Sequence, residues 1–369
     1  MLSEELVYAV ALNKVFRYNP KISNFLLKEF GTAKAVFNLT QADLAERFNR
    51  RYSFFDDLSD KRLFEWAEKE ISWAYSKGIR LLCIHQAEYP SSLKECFDPP
   101  VIIYQYGDVN LNQDKIISIV GTRMSTRYGT ESCRKIVKEL AEGGFSPVIV
   151  SGLAYGVDIA AHRAALEFGL KTIAVLPNGL DRIYPASHYE IAKKISRQGA
   201  IITEFPRETE SLKINFIQRN RIIAALSKAT IVIESREKGG ALITAEFAQS
   251  YSREVFALPG RISDIFSAGC NNLIYHNIAS IYCSTKEFTS YLGWTSDNKD
   301  GSNLQKEIFY SPSPEKEKIL VALSLNSELS IDELLHISGE RLQTLSKSLL
   351  ELELEGKILS LAGNRYSLA

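Results

Sequence analysis

Between Lys115 and Cys283 one pattern repeats: a short, uninterrupted apolar run, a polar loop, a stretch with helical periodicity, then the next apolar run. The runs are "KIISIVG", "PVIVSG", "KTIAVLPNG", "AIITEF", "TIVIES" and "REVFALPG". They do not alternate apolar with polar, so both faces of each strand are expected to be covered by helices, which is the signature of parallel strands. The intervening helices are expected to run to Gly143, from Val157, around Tyr189 to Arg197, across Asn215 to Lys228, and from Ala241. The pattern therefore predicts an α/β fold built on a doubly wound parallel sheet.

In such a sheet every loop that follows a strand opens on one rim, where ligands bind. The rim loops here are "GTRMSTRYG", "SGLAYGVD", "PNGLDRIYP", "EFPRETESLKINF" and "SREKGGALIT". They are rich in glycines, hydroxyls and cations, among them Gly121, Gly152, Gly156, Gly239, Gly240, Arg123, Arg127, Lys213, Arg219, Arg221, Arg236 and Lys238. Residues 114–288 hold 22 Lys and Arg against 17 Asp and Glu, a local excess of five in a chain whose net charge is zero. Each feature has a plainer alternative. The glycines also suit tight turns and close helix packing, and Arg127 and Arg236 also suit solvated surface charge. On the helix "NFIQRNRIIAAL", Phe216, Arg219, Asn220 and Ile223 fall on one side, while Ile222, Ala225 and Leu226 can face the sheet. One of its arginines is expected to brace the helix against a carboxylate. Phe216 is either a core residue or an exposed stacking platform.

Several functions are disfavoured. The rim has no GxGxxG and no GxxxxGK[ST], so dinucleotides and nucleoside triphosphates lack their usual cradle. "SGLAYGVD" is not a nucleophile elbow. Asp158, Glu204, Glu234 and Glu246 are explained by capping or ion pairing. The five cysteines form no CxxC and the five histidines no metal-ligand spacing; His162, on an alanine-flanked helix face, reads as a packing residue. No catalytic residue, metal or cofactor is expected. The N-terminal "MLSEELVYAVALNKVF" has acidic residues where a signal peptide needs positive charge, and no later run reaches the ~18 apolar residues of a membrane helix. A cytoplasmic protein without membrane contact is expected. A rim with many phosphate-grade donors, an aromatic and no evident chemistry points to a polyanion.

The rest of the chain divides around this core: a helical segment over residues 1–78, with helices near Glu4–Phe16, Lys21–Phe30 and Lys61–Lys77; the core over 79–290, opening with extended runs "IRLLCI" and "VIIYQYG"; a polar linker over 291–311; and a small helical domain over 312–369.

The motifs "SIVGTRMSTRYG", "VSGLAYGVDIAAH", "VLPNGLDRIYP", "INFIQRNRIIAALS", "KGGALITAEFA", "REVFALPG" and "GCNNLI" stand in an order and spacing that resembles the DNA-processing protein A (DprA, or Smf) family over roughly residues 80–283. The resemblance implies an extended Rossmann-like core that binds single-stranded DNA, forms a homodimer, and loads the RecA recombinase during natural transformation. It implies Arg123 on a DNA phosphate, with Gly121 and Ser125 beside it. It places Ser151 and Gly152 on the adjacent loop, Gly239 and Gly240 on the far one, Lys213 on a second phosphate and Phe216 against a base. Arg219 and Asn220, on the same helix side, complete the expected set. Stacking plus cationic contacts implies sequence-tolerant, salt-sensitive binding.

Two departures stand out. Cys270 replaces the family's usual hydroxyl in "GCNNLI", which puts a contact there in question. "FRYNPKISNFLLKEFGTAKAVF" resembles the family's sterile-alpha-motif-like or helix-hairpin-helix module, but Asn19 and Pro20 stand where the hairpin glycines would be. The tail from Pro312 has a winged-helix pattern with six cations against nine carboxylates, so a protein contact suits it better than DNA. Two rivals remain. The nucleotide phosphoribohydrolases of the lysine-decarboxylase-like group use a PGGxGTxxE loop, but "KGGALITAE" lacks its third glycine at Leu242 and is one residue short between Thr244 and Glu246. A stand-alone nucleotide sensor would bind mononucleotides tightly.

Overall fold

The computed structural model describes residues 4–16, 18, 20–48, 58, 60–296, 314–326, 328–354, 357–361 and 363–368. Most of the expected linker, and Asn19, lie outside the described residues. The chain divides into two compact units, Met1–Asn298 and Lys299–Ala369.

The first unit is organised by a nine-stranded sheet: β1 (Arg80–Cys83), β2 (Ile102–Gly107), β3 (Ile116–Val120), β4 (Val148–Ser151), β5 (Thr172–Val175), β6 (Ala200–Thr203), β7 (Ala229–Val232), β8 (Glu254–Ala257) and β9 (Ser280–Ile281). Their spatial order is β1-β2-β6-β5-β4-β3-β7-β8-β9. The strands from β3 to β9 are all parallel. The two extended runs ahead of the core join this sheet antiparallel, β1 on β2 and β2 on β6, and so lengthen one edge. The six apolar runs become β3 to β8, and nearly every residue of them is buried. Successive residues serve opposite faces: Val120, Val148 and Val150 pack into one core layer, Ile117, Ile119 and Ile149 into the other. Ser118 in the middle of β3 spends its hydroxyl on Thr230 of β7, at 2.7 Å.

Helices α1 (Glu4–Val15), α2 (Pro20–Phe30), α3 (Ala33–Phe37), α4 (Gln41–Phe48) and α5 (Lys61–Ser76) precede the sheet. Leu6, Val10, Leu12, Leu26, Ala67 and Ile71 belong to the same continuous core as Ile103, Val150 and Ile223. The N-terminal helices therefore form one body with the sheet. Glu70, buried on α5, accepts the Arg207 backbone N–H at 2.9 Å and pairs with its guanidinium at 3.0 Å. This ties α5 to the loop that follows β6. Later come α6 (Ser91–Lys94), α7 (Arg127–Glu142), α8 (Val157–Glu167), α9 (Tyr189–Gln198), α10 (Lys213–Leu226), α11 (Gly240–Ser250), α12 (Ala268–Tyr275) and α13 (Thr285–Tyr291). Among the described residues no helix is long and apolar enough to cross a membrane.

The second unit has α14 (Pro314–Leu325), β10 (Leu329–Ser330), α15 (Ile331–Ser338), α16 (Leu342–Leu354), β11 (Ile358–Leu361) and β12 (Arg365–Leu368), with sheet order β10-β12-β11. Three helices and a terminal hairpin are the winged-helix arrangement expected from the pattern. A capping box, Ser330 with Glu333, starts α15, and Gly339 at φ 68° ends it. Ile319, Leu323, Leu334, Leu345, Leu349 and Leu352 make its own core.

Candidate nucleic-acid interface

The strand order reverses direction at β3: the chain builds outward through β4, β5 and β6, then returns to lay β7 on the other side of β3. Loops after strands part at such a switch point and leave a crevice. A cleft of about 980 Å³ occupies that place. It is lined by the loop after β3 (Gly121 to Met124), by Ala154 and Asp158, by the first turns of α10, and by residues 235–244 and Glu246 after β7.

The cleft unites eight of the eleven expected residues: Gly121, Arg123, Lys213, Phe216, Arg219, Asn220, Gly239 and Gly240. Arg123 and Lys213 are exposed, and among the described residues neither stands in an ion pair. Arg127, by contrast, pairs with Glu131, Arg182 with Asp181, and Arg221 with Glu204. Phe216 is half-buried on the first turn of α10. The Arg123 guanidinium lies 4.9 Å from its ring centre, and Tyr184 meets it edge-on at 5.5 Å. The lining carries five cations, Arg123, Lys213, Arg219, Arg236 and Lys238, against Asp158, Glu237 and Glu246. Gly239 caps α11 without a side-chain hydrogen bond, and Gly240 has open space around its Cα. This helix end offers backbone N–H groups and the positive end of its dipole to the cleft. Asn220 fastens the two helices, donating from Nδ2 to the Gly240 carbonyl at 3.3 Å.

The loop carrying Arg123 is held from below. Thr122 donates its N–H to the Glu234 carbonyl at 2.7 Å and accepts from the Val157 N–H at 3.2 Å. The Glu234 carboxylate, fully buried, accepts the Thr126 N–H at 2.9 Å and the Thr126 hydroxyl. Gly156, at φ 76°, sits against the Thr122 carbonyl and the Arg123 backbone, where a Cβ would clash. The arginine thus projects from a braced backbone.

The remaining expected residues play other parts. Ser151 is fully buried and donates its hydroxyl to the Ile119 carbonyl at 2.7 Å. Gly152 leaves room for the Arg219 guanidinium, which donates to the Gly152 and Val175 carbonyls. Arg219 is itself 3 % exposed, so it is a brace under the rim and not a free phosphate ligand. Burial pulls its pKa down to about 10, against the attraction of Asp158. Burial likewise pushes the Asp158 carboxyl up, with Arg219 opposing. Ser125 lies outside the cleft lining, 3.2 Å from the Thr130 hydroxyl. Cys270 is buried with its thiol toward the Val232 carbonyl, so this position packs against the sheet. His162 is buried and donates from Nδ1 to the Thr172 hydroxyl at 2.7 Å, whose own proton goes to the Ile149 carbonyl. The expected helix brace is Arg221: it donates to the Glu204 carboxylate and to the Asp98 carbonyl. Among the described residues no His, Cys, Asp and Glu cluster is suited to a metal ion.

The sequence profile of "DNA recombination-mediator protein A" matches residues 80–293, more than half of the chain. The chain belongs to this family. A second profile, the DprA winged helix domain, matches residues 310–364 of this DprA-family chain. Protein Smf of Synechocystis is 30 % identical over 99 % of both chains. The solved structure of DprA from Streptococcus pneumoniae superposes with a TM-score of 0.57 at 32 % identity, covering 69 % of this chain and 94 % of that one. A structure of DNA processing protein A from Helicobacter pylori, described for its unique single-stranded DNA binding mode, gives 0.53 at 33 % identity over 58 % and 95 %. Beside the DprA-family motifs the rim carries two further aromatic features. Tyr184, in "PNGLDRIYP", is 41 % exposed beside Phe216, and an aromatic in a rim loop was a visible signal for it. Arg236 lies over the ring of Phe266 at 4.8 Å, a pairing with no local sequence signal.

Proposed function

We propose that the cleft at the β3/β7 switch point binds single-stranded DNA, with Arg123 and Lys213 on successive phosphates and Phe216 against a base. The observation that carries this reading is the convergence, from two separate crossovers, of two unpaired exposed cations on one half-exposed aromatic. Single-strand binders combine those elements, a cationic groove for the backbone and aromatic faces for bases. The Gly240 end of α11 supplies further anion-directed donors. Family membership and the single-stranded DNA described for the Helicobacter pylori relative support the same ligand. The reading is of binding without bond-breaking: the buried Asp158 that lines the cleft accepts the Ala154 N–H at 3.4 Å, and the buried Glu234 below the Arg123 loop accepts the Thr126 N–H at 2.9 Å.

Family membership supports the wider role in this reading: a cytoplasmic homodimer that protects incoming single strands and loads the RecA recombinase onto them, in natural transformation and recombination. The acidic winged-helix unit suits a protein contact better than a phosphate chain. The test is fluorescence anisotropy of labelled single strand, duplex and mononucleotide over a range of salt. Single strand should bind tightest, and log K should fall against log salt by about 0.7 per phosphate neutralised. Tighter binding of a mononucleotide than of the single strand would favour a nucleotide sensor instead.

A further inference from the structure

We propose that the loop after β8 is a second nucleotide platform, where Phe266, with Arg236 lying across it, receives another base of the strand held at Arg123 and Phe216. The inference rests on the reading of the cleft as a single-strand site. In the cleft Phe216 has the Arg123 guanidinium 4.9 Å and the Arg219 guanidinium 6.0 Å from its ring centre, and the rim carries a separate arginine-on-phenylalanine arrangement, Arg236 at 4.8 Å from Phe266. Arg236 also lines the cleft, so the second pair is continuous with the first. The order β3-β7-β8 sets it further along the same rim, since Arg123 follows β3, Arg236 follows β7 and Phe266 follows β8.

The platform is held in place. Asp264 accepts the Phe266 N–H at 2.9 Å and the Ser267 hydroxyl at 3.2 Å, so its carboxylate is spent on the turn. Asn271 exchanges two hydrogen bonds with the Gly260 backbone, each 3.1 Å, and the Gly269 N–H reaches the Ser235 carbonyl at 2.8 Å. The charge is complementary to a polyanion: Arg236, Lys238 and Arg261 are exposed and stand in no ion pair among the described residues. The same loop exposes Ile262 at 98 % and Ile265 at 60 %. Apolar side chains interleaved with free cations match the alternation of base or sugar faces with phosphates along a strand.

The test uses the full chain, the variant Phe266→Leu, which keeps apolar bulk and loses the ring, and labelled oligothymidylates of about 3 nucleotides, too short to span both platforms, and about 15 nucleotides, long enough to reach both. The short strand should bind the variant as it binds the unchanged protein, while the long one loses about five-fold or more. In parallel, 5-iodouracil placed at each position of the long strand should crosslink to Phe266 on one side of the positions that reach Phe216. Unchanged affinity at both lengths, with no crosslink to residues 260–266, overturns the proposal and leaves the loop to a protein partner. An equal loss at both lengths overturns it too, because the loop then acts only through the shape of the cleft. Failure of the unchanged protein to bind either strand is a different result: it removes the first reading itself.

Discussion

Arg123 and Arg219 share a chemistry and differ in everything that decides their use. Arg123 stands on a braced loop in water, unpaired; Arg219 is sealed beneath it, with two carbonyls and the hydrogen-only side of Gly152 around its guanidinium. Desolvation makes a buried cation expensive to leave without partners, so Arg219 is committed to the scaffold. The same reasoning applies to His162, whose pKa burial pulls down to about 3. Its folded value lies below its ordinary one, so the unfolded chain binds the extra proton between about pH 6.5 and about pH 3, and stability falls as pH falls through that window. Glu204 works in the opposite sense. Burial raises its carboxyl to about 7, despite Arg221, so its share of stability grows as pH falls from about 7 toward its ordinary value. The two partly cancel in the unchanged protein, and the informative quantity is a difference. In thermal unfolding across pH, His162→Gln should be less stable than the unchanged chain at neutral pH. That deficit should shrink by up to about 1.4 kcal/mol per pH unit on acidification below about 6.5. A deficit independent of pH would show that His162 is not held neutral.

Helix α10 shows how one element serves scaffold and surface together. Its N-terminal turn presents Lys213 and Phe216 to the cleft, and its last turns bury Ile222, Ile223 and Leu226 in the core. Between them Arg219 and Arg221 point into the protein toward different partners, the β4 and β5 rim on one side, Glu204 and Asp98 on the other. Removing one member of a buried pair strands the other charge. Glu204→Ala should therefore destabilise the first unit by about 3–5 kcal/mol in denaturant unfolding; a loss under 1 kcal/mol would mean the pair is not the clamp described here. The helix and the six core strands were legible in the sequence because their apolar runs and periodicity are local properties. The antiparallel attachment of β1 and β2 was not, since pairing depends on which edge is left free after the parallel strands are placed. Nor could periodicity separate Arg219 from a surface arginine: a helical position tells which side a residue lies on, but the Gly152 gap that admits its guanidinium comes from the loop after β4, 67 residues away in the chain. Ser151 went the same way, a hydroxyl at a rim strand end that turned inward to a neighbouring strand. Arg123, Lys213 and Phe216 were expected together because motif order sets two distant segments on one rim, and they do line one cleft.

For the molecule as a whole, the switch point gathers Arg123, Lys213, Arg236 and Lys238, which stand in no ion pair among the described residues, so a chain of zero net charge has a locally cationic cleft. The N-terminal helices contribute by holding the β6 loop through Glu70 and Arg207, one short loop before Lys213. The central claim is that this cleft grips phosphates with Arg123 and Lys213 and a base with Phe216. The most direct measurement is the salt dependence of single-strand affinity in three full-length variants. Arg123→Glu and Lys213→Glu should each weaken binding severely and flatten the slope of log K against log salt by about 0.7 or more. Phe216→Ala should cost about 1–3 kcal/mol and leave the slope unchanged. Charge reversals that leave both affinity and slope intact would contradict the account.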